Sequence, residues 1–131
     1  MASIFTKIIL GEIPCYKIAE NEHFLAFLDV FPLVHGHILV VPKKETDYIF
    51  DIDDATLSAM MVFAKKIAKA QKAAVACKRI GIAVIGLEVP HAHIHLVPMN
   101  TANDVNFTQA KLKPSAEELA EMTERIKAKL Q

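Results

Sequence analysis

The chain has 131 residues, with 15 basic and 15 acidic side chains and an apolar fraction of 53%. This length predicts a single domain that buries about two-thirds of the surface of its unfolded chain. Balanced charge leaves no basic field to attract nucleic acid or anionic lipid, and no apolar run approaches the ~18 residues of a membrane span. We therefore expect a soluble protein with neither a nucleic-acid nor a membrane partner.

The cysteines and the N-terminus bear on the compartment. Cys15 and Cys77 have no metal-ligand spacing and are too few for a disulfide scaffold. Lys7 interrupts the short apolar run at the start, so the features of a signal peptide are missing. The sequence predicts a cytoplasmic protein. We expect no cofactor, although a metal interpretation of the histidines below stays open.

The first part of the chain alternates short apolar runs with turn residues. Apolar residues at positions 4, 5, 8, 9 and 10 predict a short helix or turn that ends at Gly11. Residues 15–20 and 24–30 predict a hairpin, with Asn21 and Glu22 at its turn. Residues 38–41 predict a further strand, which Pro42 ends.

The second part begins with a long helix, for which Asp53 or Asp54 is a suitable N-cap. Residues 79–85 predict a strand that pairs with residues 90–98 through a turn around Gly86. After Pro98, a polar stretch leads to an amphipathic C-terminal helix, which Ser115 and Glu118 begin as a capping box.

Residues 90–98 contain half of the six histidines in the chain. His91, His93 and His95 alternate with apolar residues, a period of two that predicts a strand with the three imidazoles on one face. Imidazoles are a costly way to cover a sheet, because a buried one needs a partner.

Two chemical interpretations of this row remain open. The Cα atoms of His91 and His95 would lie ~13 Å apart in a strand, so a metal would use two of the histidines and outside ligands. Alternatively, different imidazoles act as acid, base and nucleophile on different atoms of one phosphate substrate.

The pattern His, apolar, His, apolar, His, apolar, apolar at residues 91–97 resembles the motif that names the histidine triad (HIT) superfamily. Three further blocks resemble landmarks of that family, in the right order: residues 4–14 (IFTKIILGEIP), 25–30 (LAFLDV) and 36–43 (GHILVVPK). Four ordered blocks are far more specific than one motif. The chain is therefore similar to the small Hint-like and bacterial histidine triad hydrolases over roughly its first hundred residues.

Pattern and resemblance together predict an α+β, HIT-like fold: an antiparallel sheet of about five strands, one long helix packed on it and a C-terminal helix. The resemblance implies a single HIT domain over residues 1–131. Its motif-bearing core would be residues 1–98 and its variable tail residues 99–131. It also implies a homodimer.

The resemblance implies a role for each matching residue. We expect His93 to be the nucleophile, His95 to contact the leaving group or α-phosphate, and His91 and His37 to orient the other two. Asp29 would bind the ribose hydroxyls through charge-assisted hydrogen bonds. The residues expected around the base are Ile4, Phe5, Ile8, Leu28 and Val30.

The chain departs from its relatives at three places. Glu88 stands where a hydroxyl or amide that contacts the phosphate is expected, and residues 79–85 contain no asparagine. Ser3 and Thr6 replace a cysteine pair that binds structural zinc in many bacterial members, which implies that this site is lost. His35 has no predicted role.

The predicted function is hydrolysis of nucleoside 5′-phosphoramidates or related nucleotidyl (phosphoanhydride) bonds through a nucleotidyl-histidine, with a purine nucleotide as ligand. Three alternatives remain open. A dinucleoside polyphosphate hydrolase or nucleotidyl transferase would use the same residues. A non-catalytic nucleotide-binding module would bind without turnover, and a metal-binding protein would retain zinc.

Overall fold

The computed structural model describes residues 2–131 of the chain. A short helix, α1 (Ile4–Ile9), precedes three strands: β1 (Lys17–Glu20), β2 (Phe24–Leu28) and β3 (Ile38–Pro42). The long helix α2 (Asp54–Ala74) leads to β4 (Arg79–Ala83) and β5 (Ile94–Met99), and α3 (Ala116–Lys127) ends the chain. Two short 3₁₀ helices cover Ile49–Asp51 and Ala102–Val105.

The five strands form one antiparallel sheet in the order β1-β2-β3-β5-β4. The predicted α+β fold with five antiparallel strands is confirmed. β3 and β5 lie side by side although the whole of α2 separates them in sequence. This pairing brings the block around His37 next to the triad.

The two faces of the sheet are covered by different helices. One face carries Phe24, Ala26, Val40 and Ile94, which pack against Met60, Ile67 and Ile126 of α2 and α3. The opposite face carries Leu25, Phe27, Leu39 and Val41, which pack with Phe5 of α1. Since successive side chains of a strand alternate between faces, every second residue of β2 and β3 belongs to the face under α1.

The long helices begin where the sequence predicts. The Asp53 carboxylate accepts a hydrogen bond from Thr56 N–H and caps α2. Ser115 and Glu118 form the predicted capping box of α3. α3 lies against α2 and β1, so the tail completes the core of its own chain. No helix in residues 2–131 is both long and apolar enough to cross a bilayer.

The prediction of one strand through all three histidines is wrong. β5 begins only at Ile94, so His91 and His93 precede it and His95 alone lies in the strand. The register with β3 ends at Val40 and Ile94, which would bring Pro42 opposite Ala92. Proline has no N–H to donate, and Ala92 N–H instead donates to Thr46 O at 2.7 Å. The pairing with β3 therefore starts at Ile94, and His91 and His93 lie just outside the ladder.

Candidate active site

Strand register brings Asp29, His37 and His95 together on the face under α1. Asp29 N–H donates to the carbonyl of His37 at 3.0 Å, one step beyond the paired residues of β2 and β3. Leu39 pairs with His95, and His37 lies two residues before Leu39, so His37 and His95 are diagonal neighbours. Asp29 directly follows β2, His37 directly precedes β3 and His95 lies in β5, so three adjacent strands bring one polar group each to the same point.

The hydrogen bonds of His37 determine which nitrogen of His95 carries a proton. Leu33 N–H donates to His37 Nδ1 at 3.1 Å, so the proton of neutral His37 is on Nε2. That Nε2–H lies 3.0 Å from Nδ1 of His95, which must accept it. Neutral His95 therefore carries its own proton on Nε2, as a donor.

His93 carries its proton on the other ring nitrogen from His95. Its Nδ1 lies 2.8 Å from the carbonyl oxygen of His91, and a carbonyl can only accept. The proton of neutral His93 is therefore on Nδ1, and Nε2 keeps its lone pair. The ring is held between Phe5, at a centroid distance of 4.9 Å, and His95, at 4.8 Å. The site thus presents a nucleophilic nitrogen beside an N–H donor.

His91 is fully buried and anchors the triad. Its Nε2–H donates to the Pro42 carbonyl at 2.8 Å, and its Nδ1 accepts from the Ser3 hydroxyl at 2.8 Å. Ser3 N–H in turn donates to Glu45 Oε1 at 2.7 Å, and the Thr6 hydroxyl donates to the same oxygen at 2.6 Å. These hydrogen bonds lower the pKa of Glu45 to about 2, and the one from Thr6 contributes most. We call Ser3, Thr6, Glu45 and His91 the Ser3–Glu45 network.

Burial holds the other imidazoles in their neutral form. It lowers the pKa of His37 to about 4 and that of His95 to about 3, since a buried cation loses its hydration. Burial also lowers the pKa of His93. The Asp29 carboxyl shows the corresponding effect for an acid: burial raises its pKa, although a hydrogen bond from Phe31 N–H opposes the shift. Near neutral pH these three histidines contribute no positive charge.

Two groups of residues bear on metal binding. Asp29, His37 and His95 each place one ligand atom within 4.8 Å of the others. Nε2 of His37 and Nδ1 of His95 already share a hydrogen bond, so neither is free for a metal in this arrangement. Ser3 and Thr6 offer hydroxyls, which are not among the usual ligands of zinc. These two residues therefore do not fit a structural zinc site.

The cavity beside the triad has a volume of about 210 Å³ and is lined by His93, His95 and the loop of residues 85–89. Glu88 is in that lining, as the sequence suggests. Larger cavities of about 400 and 450 Å³ lie elsewhere, against lysines and α2, and none of the triad lines them. We assign the site by its converging imidazoles, because volume alone carries no chemistry.

The residues expected around the base are only partly brought together. Phe5 contacts the rings of both His91 and His93. Ile8 is half-buried beside it, whereas Ile4 and Val30 are exposed. Leu28 packs into the core on the opposite face of the sheet. The structure does not bring Leu28 to the histidines, and His35 is exposed away from them.

Two site residues come from the tail and were missed from the sequence. The ring of Phe107 lies 4.7 Å from that of His95 and 6.4 Å from that of His37. Lys111 lines the cavity with Glu88 and His93. The polar stretch of residues 99–113 has no periodicity, and the only local signal was an isolated aromatic residue beside lysines.

The fold and the site define a class of protein in which several buried imidazoles converge on one face of a small antiparallel sheet. The HIT domain model matches residues 10–102, and the chain belongs to the histidine triad (HIT) family. The prediction of a hydrolase of the histidine triad type is confirmed.

Named relatives and a solved structure agree with this assignment. The chain is 40% identical over 99 residues to the adenosine 5′-monophosphoramidase HNT1 of Saccharomyces cerevisiae, covering 74% of this chain and 62% of the yeast protein. It is 33% identical to the adenosine 5′-monophosphoramidase hnt1 of Schizosaccharomyces pombe, over 99% of each chain. A crystal structure of a Hit-like protein from Bartonella henselae superimposes with a TM-score of 0.85 at 32% identity, covering 98% of this chain and 96% of that one.

Proposed function

We propose that the protein hydrolyses nucleoside 5′-phosphoramidates, or related nucleotidyl bonds, through a covalent nucleotidyl-His93. One observation carries the proposal: the hydrogen bond from His93 Nδ1–H to the His91 carbonyl leaves Nε2 unprotonated. Because burial lowers the pKa of this histidine, the nucleophile is ready without a separate base.

The reaction divides into two displacements at phosphorus. In the first, the lone pair of His93 Nε2 forms a bond to phosphorus and the bond from phosphorus to the amine nitrogen breaks. The amine leaves with that electron pair and takes a proton from solvent. In the second, water attacks phosphorus, the bond to Nε2 breaks with its pair returning to His93, and the proton of the water returns to solvent. The sum is one water consumed, one nucleotide and one amine released.

The neighbouring histidines stabilise the phosphoryl group in this scheme. His95 Nε2–H donates to a phosphoryl oxygen or to the departing group, and the bond from His37 Nε2–H fixes that tautomer. His91 acts through its carbonyl, which orients His93. Preorganised donors of this kind need no rearrangement during the reaction.

We place the nucleoside on the Asp29 side of the triad. The Asp29 carboxylate is 20% exposed and its Oδ2 lies 3.9 Å from His37 Nε2, so it can accept from ribose hydroxyls beside the reacting phosphorus. Half-buried Ile8 offers apolar surface to a base, while Phe5 beside it is buried against the triad rings. The two yeast relatives named as adenosine 5′-monophosphoramidases support a purine.

The homodimer remains part of this proposal. β4 is an edge strand of the sheet, and its Ile82 and the following Val84, Ile85 and Leu87 are exposed. An unpaired edge beside exposed apolar side chains favours association. Light scattering of the purified protein tests it, and a monomer at micromolar concentration would count against it.

The experiment is a metal-free incubation with adenosine 5′-phosphoramidate, in which AMP release is followed for wild type, His93→Ala and His35→Ala. We expect release by wild type and by His35→Ala, which alters an exposed histidine away from the triad, and none by His93→Ala. Rapid acid-free quenching followed by mass spectrometry should show a nucleotidyl adduct on the peptide that contains His93.

Two results would overturn the proposal. Full activity of His93→Ala would remove the nucleophile. Binding of AMP by the wild-type protein without any turnover would instead identify a nucleotide-binding module.

A further inference from the structure

Part of the lining of the cavity beside the triad comes from the tail, beyond the motif-bearing core of residues 1–98. Residues 85–89, His93 and His95 line the cavity together with Phe107 and Lys111. These two residues belong to the segment between β5 and α3, which follows the last histidine of the triad. The tail therefore contributes directly to the site, within the same chain.

Few charged groups line the cavity. Among the described residues that line it, Lys111 is the only lysine or arginine and Glu88 the only carboxylate. Burial lowers the pKa of His93 and His95, so these imidazoles are neutral near pH 7. A nucleotide phosphate entering this space would meet the negative charge of Glu88, with positive charge available only from Lys111.

Contacts on both sides of Lys111 hold the segment over the site. Phe107 packs its ring against His95 at a centroid distance of 4.7 Å. Leu112 N–H donates to the carbonyl of Pro32 at 2.9 Å, close to the turn that carries Asp29. Lys111 lies between these two attachments. Its charge also reaches the imidazoles, because after burial it contributes to the lowered pKa of His37 and, as the smallest cause, to that of His95.

We propose that Lys111 is the phosphate-binding cation of this site, and that the segment 107–112 thereby selects ligands with an anionic phosphate over the uncharged nucleoside. This inference rests on the proposed function and adds the group that binds the charge of the substrate. Lys111 supplies the positive charge that meets the phosphate in the complex, in the same cavity lining as Glu88. A flexible ammonium suits this task, since it acts as a point charge with three donors.

The test compares binding of AMP and of adenosine by calorimetry in four proteins: wild type, Lys111→Ala, Lys111→Arg and Lys113→Ala. Lys111 is exposed, so its removal leaves the core intact. Lys113 is also exposed and does not line the cavity, which makes it the matched control. We expect Lys111→Ala to weaken AMP binding by about tenfold or more, as for a charge-assisted hydrogen bond, and to leave adenosine binding unchanged.

Lys111→Arg should keep most of the affinity for AMP, and Lys113→Ala all of it. AMP affinity should fall with added salt in wild type, and this dependence should become shallower in Lys111→Ala. Equal AMP affinity in Lys111→Ala and Lys113→Ala would overturn the inference, and so would an equal loss for AMP and adenosine. Failure of the proposed function gives a different result, because wild type would then release no AMP from the phosphoramidate whatever the behaviour of Lys111→Ala.

Discussion

The hydroxyl of Ser3 lies 2.8 Å from Nδ1 of His91 and joins the N-terminal helix to the triad. The two residues are 88 positions apart in sequence, and both are buried. Through the His91 carbonyl, the same connection reaches Nδ1 of His93. A hydrogen-bonded contact thus links the helix that carries Phe5 to the proposed nucleophile.

Ser3→Ala should destabilise the protein and lower its activity. The change leaves His91 Nδ1 buried without a donor, and it removes the N-cap that accepts from Thr6 N–H at 3.1 Å. We expect a loss of about 1–3 kcal/mol in the free energy of unfolding. Urea denaturation measures it, with Ser58→Ala as the control, because Ser58 is an exposed serine of α2.

The kinetics of Ser3→Ala test separately whether Ser3 orients His93. If Ser3 orients His93, kcat for phosphoramidate hydrolysis should fall in Ser3→Ala at temperatures where the variant is fully folded, and KM should change little. Unchanged kcat together with reduced stability would limit Ser3 to a structural role.

Stability should decrease as the pH falls from neutral toward 4. His37 and His95 take up protons near pH 6.5 in the unfolded chain, whereas burial lowers their folded pKa values to about 4 and about 3. Between these limits the unfolded state binds more protons, so the free energy of unfolding decreases by up to about 1.4 kcal/mol per pH unit for each histidine. Asp29 opposes part of this trend, because burial raises its pKa.

Urea titrations from pH 7.5 to 4.5 check this dependence. We expect a shallower dependence in His95→Gln, which removes one of the two groups, and an unchanged one in His35→Gln, which alters an exposed histidine. A wild-type free energy of unfolding that stays constant over this range would contradict the assignment of neutral buried imidazoles.

Local chemistry made most of the fold predictable. The caps at Asp53 and Ser115 and the turn residue Gly11 are visible in the sequence, and each acts within a few residues of its position. The face shared by Asp29, His37 and His95 follows from strand periodicity once the strand order is known. The sequence alone does not give that order, and the structure supplies it.

What the sequence did not reveal depends on contacts between distant positions. His91 and His93 lie outside the ladder because Pro42, 49 residues before His91, offers its carbonyl but no N–H. Phe107 and Lys111 reach the site through a segment without regular periodicity, so no local pattern indicated them. Nothing in the sequence distinguishes Glu45 from other glutamates. Its role is evident only from the hydrogen bonds that it accepts from Ser3 and Thr6.

Gln71 should be necessary for holding together the two strands that carry His37 and His95. From the buried face of α2, its Nε2 donates to Gly36 O at 2.8 Å and to Leu96 O at 2.9 Å. Gln71→Met keeps the volume but leaves both carbonyls without this donor, so we expect a loss of about 1–3 kcal/mol in the free energy of unfolding. Gln71→Glu should lose more, because it buries an acidic group against two acceptors.

Urea denaturation of both variants, with exposed Lys72→Ala of the same helix as the control, measures these losses. Equal stability of wild type and Gln71→Glu would show that the two hydrogen bonds contribute nothing. Gln71 Oε1 has no partner within residues 2–131, and its removal in Gln71→Met offsets part of the loss.

Gly36, immediately before His37, should tolerate no side chain. Its φ is +91°, and a Cβ there would lie 2.9 Å from Cγ2 of Val75. Gly36→Ala therefore combines backbone strain of about 1–2 kcal/mol with an overlap that the core must absorb. Gly11→Ala is the matched control for the backbone term, since Gly11 has a φ of +81° and nothing within 4 Å of a Cβ. We expect Gly36→Ala to lose clearly more stability than Gly11→Ala in urea denaturation.

The double variant Gly36→Ala/Val75→Ala isolates the contribution of the overlap between the new Cβ and Val75. If this overlap causes the extra loss, the two substitutions together should cost less than the sum of their separate effects. Strict additivity would instead assign the whole loss at Gly36 to its backbone conformation.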